Sequence, residues 1–139
     1  MTKIIETVRV PKQADALWQQ IGGFGSVGQW HPVLARLDSE GEHEGCRRTA
    51  EAKDGSQQTE RLLEMDVRRH FYRYHIESTK MPIRDYVAEF RIKNNGDKTS
   101  TVVWSAEFEP TADSAETVGI VRGFLRAGLD NIGTLTARN

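Results

Sequence analysis

Residues 101–132 read TVVWSAEFEPTADSAETVGIVRGFLRAGLDNI, and the spacing of the apolar residues changes period inside that stretch. Up to Glu109, Val102, Trp104, Ala106 and Phe108 alternate with Val103, Ser105, Glu107 and Glu109, the period of a strand with one buried face. Beyond Pro110, Asp113 or Ser114 can cap a helix, and Val118, Val121, Phe124, Leu125, Leu129 and Ile132 then recur at intervals of three and four. So long an apolar stripe must be covered, and the only partner large enough is the concave face of a sheet. Gly119, Gly123, Gly128 and Gly133 are costly in such a helix, at about 1 kcal/mol each relative to alanine. They signify either close packing of helix on sheet or side chains left out to make room for a ligand, and the sequence leaves both open.

Upstream, Tyr86, Ala88, Phe90 and Ile92 alternate with Val87, Glu89, Arg91 and Lys93, which predicts a hairpin across Asn94-Asn95-Gly96-Asp97. Turn signals at Glu40-Gly41, Asp54-Gly55, Val67 to His70 and Met81-Pro82 divide the chain from Val33 to Pro110 into about six strands. At the other end, Ile4, Glu6, Val8 and Val10 mark a first strand stopped by Pro11. Ala14, Leu17, Trp18 and Ile21 mark a helix broken by Gly22-Gly23, and Phe24 to His31 reads as one weak helical turn or an ordered loop closed by Pro32. The expected fold is therefore α+β of the helix-grip type: a curved antiparallel sheet of about seven strands around a long C-terminal helix, with two short helices after strand 1.

A chain of 139 residues fits one domain, 1–139, that folds without disulfides or a structural metal. The lone Cys46 and an N-terminus without a basic-then-apolar segment predict a cytoplasmic setting. No apolar run approaches membrane-spanning length and the mean hydropathy is -0.58, so membrane insertion is not expected. With 19 Lys and Arg against 20 Asp and Glu, no overall field gathers phosphates, which disfavours nucleic acid. Arg68-Arg69-His70 reads as a solvated turn. His43, His70 and His75 are dispersed, and neither a phosphate-cradling glycine loop, a Gly-x-Ser-x-Gly elbow nor a two-His helical motif is present, so neither metal nor cofactor is expected. Oligomeric state is left open.

The order of elements combines with Ala16-Leu17-Trp18, Trp30-His31-Pro32, Gly45-Cys46-Arg47-Arg48, Thr59-Glu60-Arg61-Leu62 with Asp66, Tyr74-His75-Ile76, and Tyr86 after Pro82. Together these resemble the START/birch-pollen-allergen (SRPBCC) superfamily, in particular its bacterial polyketide cyclase/dehydrase-like branch, over essentially the whole chain. Several also resemble the plant abscisic acid receptors, with Glu60 and Tyr86 at matching positions. Here, however, only Lys53-Asp54-Gly55-Ser56 fills the place of a longer gate loop, which argues against a hormone-gated role. The resemblance implies a space between sheet and long helix for a lipid-like, polyketide-like or aromatic molecule, in some members with chemistry.

On that reading Trp30, Tyr74, Tyr86, Phe90, Trp104 and Phe108 form an aromatic wall, with Phe124, Leu125 and Leu129 from the long helix; the alternative is that they fill a core. A three-residue turn at Asp54-Gly55-Ser56 would put Glu60 opposite Ala50, with Arg48 diagonal to it on the same face. If both point inward, they must satisfy each other, water or a ligand, because an unpaired buried charge costs several kcal/mol; a slip of one residue leaves them solvated on opposite faces. His31 could exchange protons near neutral pH and, with Glu60, promote an aldol-type cyclisation or dehydration; otherwise it hydrogen-bonds the loop. Cys46 beside Arg47 is either an activated thiol or a small buried strand residue. Three functions follow: a module that binds a small hydrophobic molecule, a polyketide cyclase/dehydratase-like enzyme, or a protein-interaction domain. The last calls for an outer apolar patch, for which Val87, Val103 and Leu63 are too scattered.

Overall fold

The computed structural model describes residues 1–137. Strand β1 (Thr2–Val10) ends at Pro11 and leads into α1 (Ala14–Ile21), a 3-10 turn (Phe24–Ser26) and α2 (Val27–Trp30). Six strands follow: β2 (Leu34–Ser39), β3 (Arg47–Ala52), β4 (Gln57–Asp66), β5 (Phe71–Ser78), β6 (Ile83–Asn94) and β7 (Ser100–Pro110); α3 (Ser114–Ala137) closes the chain. They form one antiparallel sheet in the order β1-β7-β6-β5-β4-β3-β2. Consecutive strands from β2 to β7 are thus neighbours, and β1 closes the far edge. The helix-grip expectation of seven strands and two short helices after strand 1 is what the chain forms.

Each element obeys the spacing that predicts it. In β7, Val102, Trp104, Ala106 and Phe108 are all buried, and α1 buries Ala14, Leu17, Trp18 and Ile21. Gly22 caps the end of α1, and only glycine fits there because a Cβ would lie 2.2 Å from the Trp18 ring. Helix α3 is capped by Asp113, whose side chain accepts a hydrogen bond from the Glu116 N–H at 2.9 Å, leaving Ser114 as the first helical residue. Its buried stripe, with Val121, Leu125, Leu129 and Ile132, packs chiefly on β1 and β7. Irregularities in β2, β4 and β6 bend the sheet around it, and in β6 Asp85 takes the left-handed conformation (φ 54°) within the break between Arg84 and Val87.

The two readings of the α3 glycines separate by position. Gly128 is a packing notch: a Cβ there would stand 2.7 Å from His31 and 2.9 Å from both Trp30 and Trp104. Gly133 meets only Val8, at an ordinary 3.5 Å, and Gly119 and Gly123 face open solvent. None of the four leaves volume for a ligand between helix and sheet.

One expectation of register needs correction. The turn between β3 and β4 is Lys53-Asp54-Gly55, closed by the Ala52 N–H donating to the Ser56 carbonyl at 2.8 Å, with Gly55 at φ 88°. The loop begins one residue earlier than Asp54-Gly55-Ser56, because Gly55 takes the left-handed position that ends it. Moving the loop by one residue shifts the pairing by two, so Glu60 faces Arg48 directly and Gln58 faces Ala50, all still on the inner side.

Candidate functional site

Arg48 and Glu60 are neighbours across β3 and β4, and both are buried. Arg48 Nε donates to Glu60 Oε1 at 2.6 Å. Its Nη1 donates to the Phe24 carbonyl at 2.7 Å and to the Tyr72 hydroxyl at 3.2 Å. The guanidinium also lies 4.2 Å from the centre of the Phe24 ring and 4.5 Å from that of Tyr74. Burial works against its charge, but Tyr72, Glu60 and Tyr74 outweigh burial and hold its pKa above the ordinary value. The 3-10 turn that supplies the Phe24 carbonyl is itself anchored by Glu42, which accepts from the Phe24 N–H at 2.6 Å and the Gly25 N–H at 3.0 Å.

The second oxygen of Glu60 accepts from Gln58 Nε2 at 2.5 Å. Gln58 Oε1 in turn accepts from the Thr79 hydroxyl at 2.6 Å, and Thr79 Oγ1 accepts from the Met81 N–H at 3.1 Å. A line of polar contacts therefore runs from the buried pair to the loop between β5 and β6.

This line borders a cavity of about 80 Å³ between sheet and helix, lined by Val27, Leu34, Ala50, Met81, Trp104 and Phe124 beside Arg48, Gln58, Glu60 and Thr79. Exposed Gln57 and Lys80 on its wall bring it to the surface. A cavity of about 150 Å³ is what accepts a benzene ring, so the space as drawn suits water or one small group.

Of the residues expected to form the site, Arg48, Glu60, Trp104 and Phe124 lie on the cavity wall. The others are placed elsewhere. Trp30 stacks on Phe90 (5.4 Å) and meets Trp104 edge-on (5.6 Å), and Tyr86 stacks on Phe108 (5.7 Å). Tyr74 accepts from Trp104 Nε1 at 3.1 Å, and Leu125 and Leu129 sit in the core. Burial pushes the hydroxyls of Tyr72, Tyr74 and Tyr86 above the ordinary phenol range. Aromatic side chains on the concave face have thus closed on one another, because they gain more by mutual contact than by lining empty space.

His31 lies behind the wall, at 2% exposure. Its Nε2 lies 2.8 Å from the Phe124 carbonyl, and its Nδ1 accepts from the Val33 N–H at 3.3 Å, so the imidazole is neutral with its proton on Nε2. Burial, against the help of the Phe124 carbonyl, lowers its pKa to about 4. The ring stacks on Phe124 (4.1 Å) and fills the notch at Gly128. Nε2 ties the end of α2 to α3, and Nδ1 is spent on the loop at Val33. Cys46 is buried, and burial raises its thiol pKa, as for an inert strand-edge residue.

Gln58, Thr79, Tyr72 and Phe24 did not stand out from the sequence. Gln58 shares the parity of Glu60 in β4, and Tyr72 that of Tyr74 in β5, so both carried a legible signal; Thr79 and Phe24 lie in turns without periodicity. Among the described residues no group of His, Cys, Asp and Glu is arranged to hold a metal ion, and no helix is long and apolar enough to cross a membrane.

A bent seven-stranded antiparallel sheet gripping one long C-terminal helix, with two short helices after the first strand, is the helix-grip architecture of the birch-pollen-allergen-like SRPBCC superfamily. The chain belongs to the family described as polyketide cyclase / dehydrase and lipid transport, which matches residues 1–136. Its structure is similar to that of XoxI from Bacillus cereus, at 25% identity, covering 99% of this chain and 96% of that one, with a TM-score of 0.92. The Zhui aromatase/cyclase from Streptomyces sp. R1128 shares the fold at 15% identity, 99% and 94% coverage and a TM-score of 0.80. So does norcoclaurine synthase from Thalictrum flavum, solved with dopamine and hydroxybenzaldehyde, at 18% identity, 99% and 87% coverage and a TM-score of 0.73. No protein of curated function matches the sequence.

Proposed function

We propose that this chain, acting as one cytoplasmic domain, binds a small, mainly apolar molecule between its sheet and α3. The observation that carries this reading is the buried Arg48–Glu60 pair on the wall of a cavity that is apolar on one side, polar on the other, and reaches the surface. Two charges taken out of water are costly, and a hydrophobic pair of similar volume is often at least as stable. A polar foot in such a place is suited to orienting a ligand, while Trp104, Phe124, Leu34 and Met81 supply apolar area. Titration with 1-naphthol tests it: saturable amide shifts in Ala50, Gln58, Thr79 and Met81 support the site, and their absence up to the solubility limit removes it.

The buried carboxylate favours a second reading, cyclase or dehydratase chemistry in the same cavity with Glu60 as the base once Gln58 releases Oε2. His31 then serves as a brace, since both its nitrogens are engaged. A poly-β-ketone thioester incubated with the wild type and with Glu60→Gln tests it: wild-type-dependent cyclic product supports turnover, and identical product from both variants removes Glu60 from the chemistry.

A further inference from the structure

Gln58 holds the position on the cavity wall that a ligand's polar group would need in order to reach Glu60. Thr79 Oγ1 accepts from the Met81 N–H and has a single proton, which therefore goes to Gln58 Oε1; this orients the amide with Nε2 towards Glu60 Oε2. Glu60 Oε1 is already held by Arg48. The other carboxylate oxygen is thus occupied by an uncharged donor belonging to the protein itself.

From this arrangement we infer that the Gln58 amide is a built-in stand-in for the ligand. An uncharged molecule bearing a hydroxyl displaces it from Glu60 Oε2, so the cavity selects neutral hydroxyl-bearing rings over carboxylates and ammonium ions of the same size. The inference rests on the cavity being the ligand site, and three observations carry it further than that.

The first is charge. Arg48 and Glu60 neutralise one another at 2.6 Å, both beyond the reach of bulk water. A ligand carboxylate at Oε2 would face Glu60 directly, while a ligand ammonium, though attracted by Oε2, would bring a charge with no counter-ion beside a pair already neutral, and an uncompensated buried charge costs several kcal/mol. A hydroxyl presents a donor to Oε2 without either penalty.

The second is space. About 80 Å³ cannot accept a ring that needs about 150 Å³, so some wall residue must move. Arg48 is held by Glu60, Phe24 and Tyr72, Trp104 by Tyr74 and four ring neighbours, and Phe124 by stacking on His31. Gln58, held by Glu60 and Thr79, is only partly buried and lies beside exposed Gln57 and Lys80, where its amide can exchange those two hydrogen bonds for water.

The third is exchange of like for like. Displacement costs one neutral donor at Glu60 Oε2 and restores another, so the buried carboxylate is not left unpaired.

Phenol, benzoate and benzylammonium, which share one ring and differ in charge, test this when titrated into the intact chain and followed through the amide shifts of Ala50, Thr79 and Met81. The expected result is saturation by phenol, with benzoate and benzylammonium weaker by about tenfold or more, and phenol about tenfold tighter in Gln58→Ala. Thr79→Val, which frees the Gln58 amide without touching Glu60, should shift phenol affinity in the same direction. Benzoate or benzylammonium binding as well as phenol, or no gain in either variant, overturns the inference while leaving the ligand site standing. Failure of both phenol and 1-naphthol to saturate the wild type and Gln58→Ala overturns the ligand site and the inference with it.

Discussion

Arg48 and Glu60 face each other across two adjacent strands, Nε to Oε1 at 2.6 Å, with side-chain exposures of 2% and 6%. Such a pair adds little net stability over an apolar one, yet removing one member strands a charge. Glu60→Ala is therefore expected to lower stability by about 3–5 kcal/mol, read from urea midpoints. The joint replacement Arg48→Met with Glu60→Leu should recover most of that loss; a double variant as unstable as the single one would show that the pair also holds the strands in register.

The α3 glycines should respond with opposite signs. Gly128→Ala drives a methyl into His31, Trp30 and Trp104, and overpacking of this kind costs about 1–3 kcal/mol, more than the helix gains. Gly119→Ala and Gly123→Ala meet nothing within 4 Å and should each stabilise by up to about 1 kcal/mol. Thermal unfolding of the three variants checks this, and a stabilising Gly128→Ala would contradict the notch.

His31 makes stability depend on pH. Its pKa falls from 6.5 in the unfolded chain to about 4 in the folded one, so below pH 6.5 the unfolded state takes up the proton first. The contribution is fully present above that value and is lost as pH falls towards 4, at up to about 1.4 kcal/mol per pH unit. His31→Gln should be less stable at pH 7 yet show a flatter profile between pH 6.5 and 4. Equal slopes in the two proteins would assign the acid sensitivity to other groups.

Tyr74→Phe removes the acceptor that the Trp104 indole N–H finds at 3.1 Å. Leaving that buried donor unpaired should cost about 1–3 kcal/mol in urea unfolding. The same substitution lies behind the cavity wall, so phenol affinity should change little compared with its response to Gln58→Ala.

Much of this architecture was legible in linear order, because strand and helix each impose a period on a face that must be buried. The alternation through Phe90 and Trp104, the switch of period after Pro110 and the break at Gly22 all depend on chemistry within a few residues. The inward parity shared by Arg48 and Glu60 is local in the same way, because moving a hairpin loop by one residue shifts the pairing by two and leaves each side chain on its face. What the sequence did not determine was contact across the fold. Whether Gly128 accommodates His31 or a ligand, whether the aromatic face lines a space or fills it, and whether Gln58 reaches Glu60 all turn on how deeply α3 settles onto the sheet. That depth is set by the packing of side chains far apart along the chain, which no local period records.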